Sequence, residues 1–180
     1  LLSLSFEAAV VSPDVLLRQR GRAPSLLWSP PGEVAFAGFG SALSVTAEGA
    51  ERFQRCAQLG SEALAHVREV LCSAAGGRGG AATSSCEMPP LARLFGGFSF
   101  QTSAPGKYSQ SPPWESFGEA RFMLPRVRYA TGSDQAWLTL TLGPDERDAP
   151  AICAEIAALL AGLRAPTSGS PARPLEPYSN

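Results

Sequence analysis

The chain has 180 residues, 44% of them hydrophobic and 17% charged, with a formal net charge of -1. That length predicts one soluble domain with room for one core. The balanced charge excludes the cationic surplus that binding to nucleic acid or to an anionic membrane draws on, and the near-total use of arginine, with Lys107 the single lysine and His66 the single histidine, leaves few side chains readily tuned as bases near neutral pH.

Residues 1–6 alternate apolar and polar side chains, the period of a strand with one buried face. Ser12-Pro13-Asp14 sets a capping hydroxyl before a proline at the first helical position and an acid in the first turn, which predicts a short helix to about Arg20. Arg18, Arg20 and Arg22 at its end are expected to form a solvated face that complements the helix dipole. Residues 26–28, 34–38 and 42–46 read as strands of a meander, with Ser29-Pro30-Pro31-Gly32 turning between the first two. From 47 to 73 the residues Phe53, Cys56, Ala57, Gly60, Leu64, Val67 and Leu71 recur at three and four, which predicts the longest helix of the chain, one stripe facing a sheet. Residues 74–85, rich in Gly, Ala, Ser and Arg, are expected to be a surface loop, and their glycines lack the Lys-Ser/Thr of a phosphate-binding loop.

Residues 94–101 predict a strand whose Gly96-Gly97 pair marks a bulge or the close approach of another backbone. A polar loop over 101–113 leads to a strand over 116–124 that stops at Pro125, and 126–130 is expected to extend it. Gly132-Ser133-Asp134 turns the chain into a strand over 135–142, where Trp137, Thr139 and Thr141 alternate with Leu138, Leu140 and Leu142. Asp148-Ala149-Pro150 opens a last helix with Ile152, Ile156, Leu159 and Leu163 on one face. The expected division is a domain over 1–165 and a Pro/Ser/Gly-rich linker or tail over 166–180. Strands and helices in separate runs predict an α+β fold, a largely antiparallel sheet packed with helices.

Motifs that carry chemistry are scarce. Cys56, Cys72, Cys86 and Cys153 contain no CxxC pair and have no zinc spacing with His66, so they are expected to be reduced thiols. Gly38-Phe39-Gly40 lacks a dinucleotide context, because Leu43 stands where the third glycine belongs and another strand follows. Glu33, Glu115 and Glu119 show no acid-base spacing and are expected at the surface, His66 lacks a partner in neighbouring turns, and Trp28, Trp114 and Trp137 are expected in core or interface. These readings nominate no catalytic, cofactor-binding or metal-binding residue. No signal peptide or run of ~20 apolar residues is visible, which predicts a cytoplasmic chain with neither membrane nor nucleic acid as partner, and the missing initiator methionine suggests part of a longer product.

Three blocks in order carry a resemblance. They are Trp28-Ser29-Pro30-Pro31-Gly32-Glu33-Val34-Ala35-Phe36-Ala37-Gly38-Phe39-Gly40-Ser41-Ala42, then Leu94-Phe95-Gly96-Gly97-Phe98-Ser99-Phe100, then Trp114-Glu115-Ser116-Phe117-Gly118 with Phe122-Met123-Leu124-Pro125-Arg126. Together with the helix carrying Arg52 and Phe53, the chain over roughly 1–165 resembles the N-terminal half of isochorismate synthases. The resemblance implies an α+β fold of two intertwined halves, conversion of chorismate to isochorismate, and Mg2+ for the complete enzyme. It also implies that base, acid and metal ligands lie in a C-terminal catalytic half, in the same or a separate chain, so that these residues brace the site and are inactive alone. A stand-alone binding module that docks a separate catalytic chain, and a part of another chorismate-utilising enzyme, are the alternatives.

Overall fold

The computed structural model describes residues 1–72, 89, 91–100 and 117–164. The expected loops over 74–85 and 101–113, Trp114, Glu115, Cys86, Lys107 and the expected tail lie outside them. The fold is α+β, with the described strands forming two sheets. In the six-stranded sheet the strands run in the order β2 (Ser25–Trp28), β3 (Ala35–Phe39), β8 (Val127–Thr131), β9 (Ala136–Leu142), β1 (Leu2–Glu7) and β5 (Arg68–Cys72). All neighbours are antiparallel except β1 and β5. The three-stranded sheet is antiparallel in the order β4 (Leu43–Ala47), β7 (Ala120–Leu124) and β6 (Phe95–Phe98).

One bent strand pair joins the two sheets. β3 pairs with β8 in the large sheet, and their continuations β4 and β7 pair in the small one. The bend falls at Gly38, Gly40 and Pro125, where Ala42 N–H donates to the Leu124 carbonyl at 2.9 Å and Arg126 N–H to that of Gly40 at 3.3 Å. Gly40 has a φ of 68°, a left-handed conformation that glycine adopts without a Cβ clash. At Gly38 a Cβ would stand 2.9 Å from Pro125 Cβ and 3.0 Å from the Val127 carbonyl oxygen, so a side chain there would force the corner open. The expected meander is therefore corrected: β4 leaves its hairpin neighbours for the other sheet. Residues 126–130 likewise do not extend β7, because Pro125 lacks the N–H of a ladder bond and marks the point where the chain changes sheets.

The helices follow from local signals. The helix after Pro13, α1 (Asp14–Leu17), is shorter than expected. Its Ser12 hydroxyl donates to Asp14 Oδ1 instead of capping a backbone N–H. α2 (Arg52–Ala65) ends well before residue 73. His66 and Val67 N–H groups close the last turn on the Ala63 and Leu64 carbonyls at 3.2 and 3.0 Å, after which 68–72 forms an edge strand parallel to β1. Val67 and Leu71 continued the helical spacing by coincidence, and the longest described helix is instead α3 (Ala149–Arg164). Asp148 caps α3, its Oδ1 accepting the Ala151 N–H at 3.1 Å.

Two apolar clusters hold these layers. Val15 and Leu16 of α1 and Ile156, Leu159 and Leu163 of α3 bury against Val127, Tyr129, Leu138, Leu140 and Leu142 on one face of the large sheet, each fully buried side chain contributing roughly 1.5–3 kcal/mol by removal from water. Tyr129 is fully buried, and its hydroxyl is satisfied by donating to the Ala9 carbonyl at 2.8 Å and accepting the Val11 N–H at 2.9 Å. The smaller cluster packs Cys56 of α2 on Val45, Ala47 and Ala120. Arg126 clamps α3 to the sheet corner through Glu155, and the segment before the helix through Glu146. No described helix is long and apolar enough to cross a membrane.

Candidate functional site

The second face of the large sheet is built differently from the first. Strand alternation puts Ser3 and Ser5 of β1 and Thr139 and Thr141 of β9 on it, and register sets them opposite one another. Ser3 and Thr141 hydroxyls bond at 2.9 Å, as do Ser5 and Thr139, so these four buried groups satisfy each other across two strands. The expectation of one buried face on β1 is thus corrected: Ser3 at 1% and Ser5 at 6% exposure are more deeply buried than the half-buried Leu2, Leu4 and Phe6.

Arg128 rises from the same floor on β8. It is 4% exposed, and its guanidinium donates to the Leu91 carbonyl at 2.6 Å and to Thr139 Oγ1 at 3.4 Å. Burial pulls its pKa down to about 10, partly offset by the field of Glu69 and deepened by that of Arg93, so it stays charged at neutral pH. Register aligns Trp28, Phe36, Ala130 and Trp137 in one row across β2, β3, β8 and β9. The Arg93 guanidinium lies over the Phe36 ring, 5.1 Å from its centroid, a cation-π geometry.

Two clefts flank residues 93–96. One, of about 880 Å³, is lined by Trp28, Glu33, Phe36, Arg93, Asp134, Gln135 and Trp137 among others. The Gln135 side-chain oxygen there is buried with no hydrogen-bond partner among the described residues. The other, of about 670 Å³, is more apolar, with Leu26, Leu27, Trp28, Leu94, Phe95, Phe122 and Met123 in its wall beside Arg93 and Arg121. Trp28 borders both and is 58% exposed, whereas Trp137 is buried at 6%, so the expectation of core or interface separates the two tryptophans.

The sequence-singled residues do not converge. His66 caps the end of α2, its Nδ1 2.7 Å from the Glu62 carbonyl. Burial pushes the Cys56 and Cys72 thiols up, away from the thiolate form a nucleophile needs. Glu119 is not a surface carboxylate: it is 4% exposed and accepts the Gly49 N–H at 2.6 Å. Glu33 and Asp134 border the larger cleft, Glu69 binds a backbone N–H, and Glu146 and Glu155 engage Arg126. Among the described residues no three His, Cys, Asp or Glu gather as a metal-binding group. These donors do not fit a magnesium site, and no chemical step through that ion is assigned to them. What the face offers is shape, aromatic surface and fixed cations. The signal that could have marked it was in the strands themselves: hydroxyls at alternate positions of β1 and β9, and an arginine between Val127 and Tyr129.

The close approach expected at the glycine pair falls on Gly96. A Cβ on Gly96 would lie 2.0 Å from the Arg121 carbonyl oxygen, so β6 and β7 approach at a distance only glycine allows, while at Gly97 the nearest atom is Phe117 Cζ at 3.7 Å.

No curated protein matches the chain. Residues 1–177 match the family described as chorismate binding enzyme. With the match running over nearly the whole of an α+β chain that carries the sheet corner, the Gly-Gly strand and the aromatic row in order, the chain belongs to the chorismate binding enzyme family.

Proposed function

We propose that the chain is the N-terminal structural half of an isochorismate synthase, a Mg2+-dependent enzyme converting chorismate to isochorismate in menaquinone, siderophore or salicylate pathways. In this reading a C-terminal catalytic half, in the same or a separate chain, supplies acid, base and metal ligands, and the present residues are inactive alone. They act in the cytoplasm, with no nucleic acid or membrane as partner.

The observation that carries the reading is the family match over 1–177, on a chain whose second sheet face presents aromatic rings, hydroxyl pairs and arginines. Such a face can position and exclude water. The test is a chorismate conversion assay with Mg2+ on this chain alone and together with a catalytic half. Isochorismate only from the combination supports the proposal. Turnover by the chain alone refutes it, and a different product transfers the chain to another chorismate-utilising enzyme.

A stand-alone module that docks a separate catalytic chain is the second reading. It is favoured by Leu27 and Trp28, 53% and 58% exposed on the edge strand β2 beside the apolar cleft. Co-purification of a separately encoded catalytic chain with this one, absent from a Trp28→Asp variant, would favour that reading.

A further inference from the structure

We infer that the Leu91–Ala92 peptide is a latch, gripped at its carbonyl by Arg128 of β8 and at its N–H by Glu69 of β5, and that this grip holds residues 91–94 as a wall between the two clefts. The Leu91 carbonyl and the Ala92 N–H belong to one peptide group. The first accepts from Arg128 Nη1 at 2.6 Å, and the second donates to Glu69 Oε1. β8 and β5 are separated by β9 and β1, three strand spacings or roughly 14 Å at the sheet. An arginine and a glutamate based that far apart are bridged here by the peptide dipole, with its negative end toward the cation and its positive end toward the carboxylate. Both bonds are charge-assisted and so stronger than neutral ones.

At its far end the wall is anchored by Leu94, which packs on the smaller apolar cluster; at the latched peptide itself the chain is more open. Leu91 is 71% exposed, and 91–94 contributes no helix or strand. The hydroxyl pairs on the sheet below bond each other, with Thr139 also accepting from Arg128, and none of these bonds runs to residues 91–94. The residue after the latched peptide is Arg93, which stacks on Phe36 and borders both clefts. Releasing the latch takes Arg93 off the ring and joins the clefts over Trp28, which already borders each. The latch is therefore a conformational device: closed, it gives two separate recesses, and open, one trough along the second sheet face.

Residue-resolved amide exchange on the full chain tests this, with Glu69→Gln, Arg128→Lys and Arg128→Met variants. The Ala92 amide is expected to be protected in the native chain and to exchange about tenfold faster or more in Glu69→Gln, the loss of one charge-assisted bond, while β8 and β9 amides keep their rates. Arg128→Lys retains part of the protection and Arg128→Met loses it. Should Arg128→Met fail to fold, the Glu69 variant, altered at an exposed side chain, carries the test. Relaxation of the Phe36 ring by a neutral soluble paramagnetic agent is expected to rise in Glu69→Gln, since that ring is 2% exposed in the latched state. An unprotected Ala92 amide in the native chain, or one indifferent to Glu69→Gln, overturns the latch. Unchanged shielding of Phe36 in that variant overturns the wall.

Discussion

Replacing Gly96 by alanine puts a methyl group 2.0 Å from the Arg121 carbonyl oxygen, 2.6 Å from Phe122 Cα and 2.8 Å from the Arg121 carbonyl carbon. All three are backbone atoms of the paired strand β7, so no rotamer can relieve the contact and the strands must separate. Overpacking of this kind costs about 1–3 kcal/mol and occasionally more, and the rigidity of the neighbour argues for the upper part of that range. The same substitution one residue on is the internal control, because at Gly97 the nearest atom is 3.7 Å away and its φ is not in the left-handed region. Gly97→Ala is therefore expected to be neutral, or to stabilise by about 0.4–1 kcal/mol through a less flexible unfolded chain. Urea unfolding followed by circular dichroism at pH 7 measures both, the midpoint falling for Gly96→Ala with an unchanged slope. Equal midpoints for the two variants would refute the close-approach argument, and a lower midpoint for Gly97→Ala would reverse it.

Tyr129→Phe removes a fully buried hydroxyl that binds Ala9 and Val11, and should cost about 1–3 kcal/mol by leaving backbone groups without partners, with faster amide exchange at Val11 as the local signature. Glu146 is held below its ordinary pKa of 4.5, first by the Gly143 N–H and then by Arg126; its contribution is complete above that value and is lost as pH falls through the lower folded value, so Glu146→Gln should flatten the acid limb of the stability curve. Because Arg126 and Glu146 are 28% and 37% exposed, the loss at pH 7 should be no more than about 1 kcal/mol, measured by urea unfolding from pH 7 to pH 3.

Much of this protein was legible locally. Alternation located β1 and β9, the Ser-Pro-Pro-Gly turn separated β2 from β3, and Asp148 announced α3, because caps, turns and periods are settled by residues a few positions apart. The tight spot at Gly96-Gly97 was also visible, though not which glycine carried it, since that depends on where the Arg121 carbonyl falls across the pair. Residues 68–72 show the limit. Their apolar spacing suits a helix, yet they form a strand because β1, more than sixty residues earlier, offers a parallel edge with Leu2 opposite Arg68. The functional face was harder still: Glu69, Leu91 and Arg128 carry no shared motif and become one device only when β5 and β8 flank β9 and β1.

By itself, then, the order of residues determined the α+β class, the main elements, the close-approach glycine pair and a resemblance to chorismate enzymes. Only the tertiary structure decided that Pro125 divides two sheets, that Ser3 and Ser5 are buried against Thr141 and Thr139, and that a single peptide spans the gap between opposite charges. Local preferences act through neighbours in the chain, whereas burial and hydrogen-bond partnership depend on strands brought together from distant positions.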